Sequence, residues 1–371
     1  MEVPFFDYKK HYLEDKNNFD KIFSDVCTKG AFIMQSELVE FENNLSKFLG
    51  CKHVIGVADG TLALIFSLKA SGIKPGDEVI LSSHTFIATA AAISDLGGKP
   101  VVADCLEDST IDPDSVEKLI SKKTKAIMPT QLNGRVSNMD ELIRLSKQYN
   151  LEIIEDSCQA LGAKYKGKPA GLFGLCGSYS FFPAKTLGSF GDGGAIATNC
   201  DRTMAYIKKL RNHGRDDDGY VEEYGNNGRL DNIQAAFLNY KLNSYSKNIY
   251  RRREIAKIYN DELSCINEIK LPPPPVENQA NFDIYQNYEV QIASDKRKEL
   301  MSFLKSNNIG TIIQWNGWMI HQFSKLELRH DCEYAENFSK RMLLLPMNHY
   351  LDNDQVLFVC KKIKTFFKDF K

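Results

Sequence analysis

The stretch SYSFFPAKTLGSFGDGGAIAT, from Ser178 to Thr198, is the part of the chain that decides its fold and its chemistry. Lys185 lies in the middle of this stretch, after an aromatic run and Pro183, and four glycines follow it. A lysine amine in such an apolar setting is partly desolvated, which lowers its pKa and makes it a better nucleophile toward an aldehyde. The stretch therefore predicts a reactive lysine held in a glycine-rich turn.

An acidic residue upstream complements this lysine. The segment LEIIEDSCQA, residues 151–160, is a β-branched run that leads into Asp156. A carboxylate at the carboxyl end of a buried strand needs a cationic partner, and a protonated pyridine nitrogen would serve. A Schiff-base lysine with an acid for the pyridinium is what pyridoxal phosphate (PLP) requires. Taken singly, Lys185 is more simply a solvated lysine and Asp156 a strand-end acid. Only together with a phosphate site do they predict PLP.

A candidate phosphate site lies in HVIGVADGTLAL, residues 53–64. The pattern predicts a strand from His53 to Ala58, a turn, and an apolar helix from Leu62 to Ala70. Gly60 and Thr61 then lie at a helix N-terminus, where free N–H groups and the helix dipole attract an anion. Ordinary capping by Asp59 is the commoner explanation for this segment alone.

The order of strands and helices indicates an α/β fold. Predicted strands at 53–58, 78–81, 100–104, 126–129 and 151–155 alternate with helices, which predicts a mostly parallel sheet covered on both faces. Ligands of such sheets bind beyond the carboxyl ends of the strands. Asp59–Thr61, Phe86, Gln131 and Asp156 are therefore expected in one site. Phe86, in the predicted first turn of a helix, could stack on a planar ring or be a core aromatic. Neither a dinucleotide-binding glycine motif nor a P-loop is present.

The last third of the chain predicts a second unit. A long helix is expected from about Ser246 to Cys265, and LPPPP, residues 271–275, then interrupts the chain. We therefore predict a large domain at 1–245 and a small α+β domain at 246–371. Within the latter we expect strands at 285–292 and 311–315, and helices at 295–306, at 333–342 and from about Asn353.

Composition excludes several classes of protein. The chain has 371 residues, 43% of them hydrophobic, and a net charge of -1, so no basic field favours nucleic acid or a membrane surface. Its nine cysteines contain no CxxC pair, which favours reduced thiols over disulfides or a zinc site. We see no signal peptide and no run of ~20 apolar residues, so a cytoplasmic protein is expected.

The motifs together resemble the DegT-like sugar aminotransferases, which are fold type I PLP enzymes. The resemblance runs from VPFFDYKK near the start to about His321, through VADGTLAL, GDEVILSSHTFIATA, EDSCQALGA, SFFPAKTLGSFGDGGAIAT and GNNGRLDNIQAA. It implies a large domain with a mostly parallel seven-stranded sheet, a smaller C-terminal domain and a homodimer with shared active sites. It also implies transfer of an amino group from L-glutamate to a keto group of a nucleotide-linked sugar, for surface glycan or related sugar biosynthesis.

The resemblance assigns roles to individual residues. It implies that Lys185 bonds the cofactor and that Asp156 pairs with the pyridine nitrogen. The other implied cofactor contacts are Gln159 on the ring hydroxyl, Phe86 on the ring face, and Gly60, Thr61 and Ser180 on the phosphate. Asn227, in the family's G-x-N-x-R pattern, would reach the phosphate of the neighbouring subunit, with Arg229 nearby. Related sugar 3-dehydratases carry histidine at the lysine position, so Lys185 implies transamination.

Two segments depart from the family pattern where substrate is expected. Gln131 in PTQLNG replaces the usual histidine, and TIIQWNGWMIH carries Gln314 and Trp315 and is one residue longer before His321. We expect Gln314, Trp315, His321 and Arg229 to face the substrate. The choice between C3 and C4 amination stays open. So do two other functions, a transaminase for a smaller phosphorylated ketone and a PLP-binding regulator without turnover.

Overall fold

The computed structural model describes residues 1–277, 279–328 and 330–369. Its α-helices are α1 Tyr8–Leu13, α2 Lys16–Lys29, α3 Ser36–Leu49, α4 Gly60–Ala70, α5 Ile87–Asp95, α6 Pro113–Leu119, α7 Met139–Tyr149, α8 Asp201–Leu210, α9 Asn232–Leu263, α10 Arg297–Ser306, α11 Glu333–Ser339 and α12 Asn353–Asp369. Within these ranges no helix combines the length and apolar character needed to cross a bilayer.

The strands are β1 His53–Val57, β2 Glu78–Ser82, β3 Lys99–Ala103, β4 Thr124–Met128, β5 Glu152–Asp156, β6 Lys164–Tyr165, β7 Lys168–Pro169, β8 Cys176–Ser180, β9 Gly194–Thr198, β10 Ile269–Lys270, β11 Asn281–Phe282, β12 Tyr288–Ile292 and β13 Met342–Leu345. Short 3₁₀ turns occupy Leu132–Gly134, Gln314–Gly317, Ile320–Gln322 and Ser324–Leu326.

Seven strands form the central sheet, in the order β1-β9-β8-β5-β4-β2-β3. All neighbours from β8 to β3 are parallel, whereas β9 is antiparallel to both β8 and β1. Because β9 is antiparallel to its neighbours on both sides, β1 points in the same direction as β8 and the other parallel strands. The predicted mostly parallel seven-stranded sheet is confirmed, and six of its strands end at one edge.

Helices cover both faces of this sheet because successive strand residues point to opposite sides. Ile80 packs with the core under α3, α6, α7 and α9. Its neighbours Val79 and Leu81 pack with α4 and α5 on the other face, and α8 covers the β1–β9 end of that face. These near-continuous apolar strands are what two-sided burial requires.

A second, smaller sheet, β10-β12-β13, packs with α10, α12 and the C-terminal half of α9 around its own apolar core. The long helix begins fourteen residues before the expected Ser246, so the predicted domain boundary falls inside α9. Tyr245 explains the continuity, because its buried hydroxyl bonds Thr186 and the Leu161 carbonyl and fixes this part of the helix. The division into two domains itself stays a prediction.

Two local predictions near the C-terminus are wrong. Residues 311–315 form no strand; Ile312 alone bridges Leu344, and the chain then turns through Gln314–Gly317 with Trp315 and Asn316 at positive φ. An Asn-Gly pair tolerates the left-handed region, which ends an extended segment. The helix predicted to reach Met342 stops at Ser339, and Met342–Leu345 is a strand.

Candidate active site

A cleft of about 560 Å³ opens at the edge where the parallel strands end. All of the predicted cofactor residues except Asn227 line this cleft, and so does Trp315. The lining comprises Asp59, Gly60, Thr61, Leu64, Thr85, Phe86, Ala88, Thr130, Leu132, Asp156, Cys158, Gln159, Ser180, Phe182, Lys185, Asp192 and Trp315. Side chains separated by over two hundred residues in the sequence thus share one site.

Lys185 sits in a tight turn between β8 and β9. Its backbone N–H donates to the Phe182 carbonyl at 2.8 Å. Gln286, from the C-terminal part of the chain, accepts from the Thr186 N–H at 2.9 Å and donates to the Ala184 carbonyl at 2.9 Å. The turn is therefore pinned on both sides of the lysine. Burial lowers the pKa of Lys185, and nearby Cys158 and Asp156 oppose that shift.

Asp156 ends β5 and is 4% exposed. Its Oδ2 accepts from the Thr89 hydroxyl at 2.8 Å, and its Oδ1 accepts from the Cys158 N–H at 3.2 Å. The Thr89 hydroxyl is 2.7 Å from that of Thr85, which in turn accepts from Thr130 at 2.8 Å. A relay of three threonine hydroxyls, which the sequence did not reveal, thus fixes the carboxylate.

The N-terminus of α4 borders the cleft at Gly60. The Asp59 carboxylate turns back to accept from the Leu62 N–H at 2.9 Å, as an N-cap does. Gly60 leaves room that no other residue would, because a Cβ there would approach the Ser180 Cβ to 2.8 Å. The helix end, the Thr61 hydroxyl and Ser180 therefore form a small cradle suited to an anion.

Gln159 lines the cleft with its amide held in one orientation. Its Oε1 accepts from the Asn133 backbone N–H at 2.9 Å. Because a backbone N–H can only donate, the atom facing it is the oxygen, and the amide nitrogen is the free donor. Asn133 was not among the residues predicted for the site, since only its backbone touches Gln159.

Aromatic rings form the mouth of the cleft. Phe86 precedes α5 as its N-cap residue, with an extended backbone, and is 52% exposed. Its ring centroid lies 6.0 Å from that of Trp315, and the His84 ring meets Trp315 edge-on at 5.4 Å. Trp315 reaches this place because its backbone adopts φ 48°, rather than because a strand ends there.

Three residues of the two segments that depart from the family pattern lie outside the cleft lining. Gln131 is wholly buried, donates to the Glu155 carboxylate at 2.9 Å and accepts from the Ser137 N–H at 2.7 Å, so its neighbours Thr130 and Leu132 face the cleft instead. The expectation that Gln131 belongs to the site is wrong. Gln314 and His321 are buried, and His321 Nε2 lies 3.8 Å from the Glu336 carboxylate.

Asn227 and Arg229 lie in a surface segment beside β1. Asn227 is exposed, and Arg229 donates to Asn212 Oδ1 at 3.0 Å. The Gly228 carbonyl accepts from the Ala58 N–H at 2.9 Å, which ties the segment to the end of β1. Exposed apolar side chains lie close by in sequence and space: Ile33 bridges Asp231, with Phe32 and Met34 beside it.

The cleft thus combines a buried amine, a fixed carboxylate, an anion cradle and an oriented amide donor. This set matches the three parts of PLP, namely an aldehyde, a ring with a basic nitrogen and a phosphate. Within the described ranges, no cluster of three histidine, cysteine or acidic residues could hold a metal ion.

Comparison with known proteins agrees with the geometry. Residues 14–364 match the DegT/DnrJ/EryC1/StrS aminotransferase family. The chain is 35% identical to "Pleiotropic regulatory protein" of Geobacillus stearothermophilus, with 100% of both chains covered. It is 33% identical to the UDP-2-acetamido-2-deoxy-3-oxo-D-glucuronate aminotransferase of Pseudomonas aeruginosa, over 96% of this chain and 98% of that protein. The crystal structure of S. venezuelae DesV in complex with a ketimine intermediate is similar with a TM-score of 0.93 and 34% identity, covering 99% of each chain.

Proposed function

The chain belongs to the DegT/DnrJ/EryC1/StrS aminotransferase family, and from that premise we propose that it is a PLP-dependent aminotransferase. It moves an amino group from L-glutamate to a keto group of a nucleotide-linked sugar, at C3 or C4, in surface glycan or related sugar biosynthesis. The observation that carries this proposal is the meeting of the buried Lys185 amine, the fixed Asp156 carboxylate and the Gly60 cradle in one cleft.

The residues present suit the cofactor. PLP, when bound, supplies an aldehyde that carries the amino group and a ring that takes up negative charge. Lys185 would bond the aldehyde carbon and Asp156 would hold the proton on the ring nitrogen. Gln159 would donate to the ring hydroxyl and Phe86 would cover a ring face. The phosphate would be held by Gly60, Thr61 and Ser180.

Lys185 also has a second task in this proposal. Once free, its Nζ would take the proton from the Cα of the amino donor and return it to the cofactor carbon on the other side of the shared nitrogen. Burial lowers the pKa of Lys185, which keeps a larger fraction of the amine unprotonated and able to act as this base. Gln286 and the turn beginning at Phe182 hold the amine in place while it does so.

The acceptor is proposed to enter past the aromatic mouth. A nucleotide base or a sugar can stack on the ring faces and edges of Phe86 and Trp315, and this contact requires no charge. Among the described residues that line the cleft, Lys185 is the one cation, whereas Asp59, Asp156 and Asp192 are acidic. A substrate diphosphate therefore requires positive charge from another source.

A homodimer provides that source. We propose that each subunit places Asn227 on its neighbour's cofactor phosphate, with Arg229 nearby. Asn227 is exposed and does not line its own cleft, and the exposed Phe32, Ile33 and Met34 beside this segment offer apolar surface for a partner. All nine cysteines are free, which fits a reducing compartment such as the cytoplasm.

The test divides the reaction into halves. Purified protein loaded with PLP should lose its visible absorption band on addition of L-glutamate and release one 2-oxoglutarate per site. The aminated form should then convert a nucleotide keto sugar to an amine, detected by mass spectrometry in a panel of 3-keto and 4-keto sugars. Conversion of small phosphorylated ketones alone would favour the smaller acceptor. An unchanged band with every amino donor would favour the regulator that the Geobacillus relative's name suggests.

A further inference from the structure

We propose that Glu289, a residue of β12 that does not line the cleft, is a positioning residue for the cofactor. Acting through Asn133, it fixes the orientation in which Gln159 presents its amide nitrogen to the cofactor's ring oxygen. This inference rests on the proposed function, since it concerns how the chain tunes a bound PLP.

In the part of the chain that the structure describes, the hydrogen bond to Asn133 is the one that keeps the Gln159 amide from turning over. The Asn133 N–H lies 2.9 Å from Gln159 Oε1. If this N–H moved away, either end of the amide could face the cleft, and the amide oxygen, an acceptor, could then meet the ring oxygen. The position of the Asn133 backbone therefore decides what Gln159 offers.

Asn133 holds an unusual backbone conformation, with φ 54° and ψ 13°. Asparagine tolerates this left-handed region better than most residues, but its side chain must be retained for the turn to stay fixed. Both ends of that side chain are bonded to the C-terminal part of the chain. Its Nδ2 donates to Glu289 Oε2 at 2.7 Å, and its Oδ1 accepts from Asn287 Nδ2 at 2.8 Å.

Glu289 is suited to hold this amide. It is 6% exposed, and its Oε2 also accepts from the Ser109 hydroxyl at 3.0 Å. Burial raises the pKa of Glu289 to about 7, and the bonds from Ser109 and Asn133 oppose that rise. The His84 Nε2 lies 3.6 Å from Oε1, but burial lowers the pKa of His84 to about 3. The histidine is therefore neutral, and Glu289 has no ion-pair partner there.

The path from Glu289 to the cleft is short and continuous. It runs from the carboxylate to the Asn133 side chain, through the Asn133 backbone to Gln159, and from Gln159 to the cleft. A hydrogen bond donated to the ring's phenolic oxygen stabilises its deprotonated form. Without that donor the phenolic oxygen holds its shared proton more tightly. The midpoint pH at which the visible band changes should therefore be higher.

The experiment is a pH titration of the visible absorption of the PLP-loaded protein without substrate. Glu289→Ala should raise the midpoint by about one pH unit, on the scale of one hydrogen bond to a charged group. Glu289→Gln keeps an acceptor for Asn133 and should restore most of the wild-type midpoint. Asn133→Gly can still adopt the positive φ, but it loses the side chain that Glu289 holds, so the backbone N–H is no longer fixed and the midpoint should shift in the same direction. Glu268→Gln, an exposed change before β10, is the matched control.

A double-mutant cycle makes the result decisive. Gln159→Ala should shift the midpoint by itself, and adding Glu289→Ala should shift it no further. The inference is overturned if Glu289→Ala shifts the midpoint as much in the Gln159→Ala background as it does in the wild type. It is also overturned if the midpoints of Glu289→Ala and Asn133→Gly equal that of the control. Wild-type protein that binds no PLP, and so shows no band, would instead contradict the proposed function.

Discussion

Replacing Asp156 by asparagine tests the electrostatic half of the site. The side chain keeps its volume, and its Oδ1 can still accept from the Cys158 N–H. The other end changes from a charged acceptor to an amide donor, facing the place where the Thr89 hydroxyl now donates. The threonine relay has to reverse, and the protonated ring nitrogen loses its counter-charge.

The size of the effect follows from burial. Asp156 is 4% exposed, so water cannot replace the missing charge. Removal of one preorganised electrostatic partner typically costs 10²–10³ in rate, or about 2.7–4 kcal/mol. We therefore expect the rate of the glutamate half-reaction to fall at least ~100-fold, with circular dichroism and thermal stability close to wild type.

The assay is single-turnover absorption after mixing PLP-loaded protein with L-glutamate. Asp192→Asn serves as the matched control, because it removes the same charge from an exposed position in the same cleft and should change the rate only a few-fold. A loss of only a few-fold in Asp156→Asn would contradict this role of Asp156, since the ring nitrogen would then be held by another group.

Three other predictions address the acceptor, the dimer and acid stability. Trp315→Ala should weaken use of the keto sugar at least ~10-fold and leave the glutamate half-reaction within a few-fold, since the loss of one aromatic contact acts on the acceptor alone; equal damage to both halves would contradict this. The variants Lys185→Ala and Asn227→Asp should each be poorly active. A mixed dimer with one subunit of each variant should recover activity, because one of its two sites carries neither defect. Activity that stays at the average of the two parents after proven subunit exchange would refute the shared site. Burial lowers the pKa of His84 to about 3. Below pH ~6.5 the unfolded chain therefore binds a proton that the folded chain does not. The free energy of unfolding should thus decrease as the pH is lowered. His84→Asn should show a shallower fall between pH 7 and 5 in urea denaturation, and an unchanged slope would contradict the account.

Local patterns were sufficient for the elements that place the cofactor site. The β-branched run before Asp156 and the strand-turn-helix at Gly60 are short, apolar and bounded by turn residues, so they form the same elements in any α/β context. The ends of helix α7 are also set by local residues, because Asn138 caps it and Asn150 closes it in the left-handed region. The resemblance then supplied the roles that patterns alone left open.

Long-range contacts account for what the sequence did not reveal. The threonine relay joins Thr130, after β4, to Thr85, after the neighbouring β2, and to Thr89 in α5, and no spacing in the chain indicates it. Gln286 and Glu289 act from the C-terminal part on turns that lie 100 and 156 residues earlier in the chain. The run Thr311–Ile313 favours a strand by propensity, but only Ile312 finds a pairing partner, so tertiary context overrides it.

Reduction of the PLP-loaded protein with borohydride, followed by proteolysis and mass spectrometry, identifies the residue that bonds the cofactor. We expect the loaded protein to be yellow before reduction and to lose this colour on reduction, with the reduced cofactor fixed, one per chain, to Lys185. A cofactor fixed to another lysine, or none fixed at all by a protein that still turns over, would contradict it.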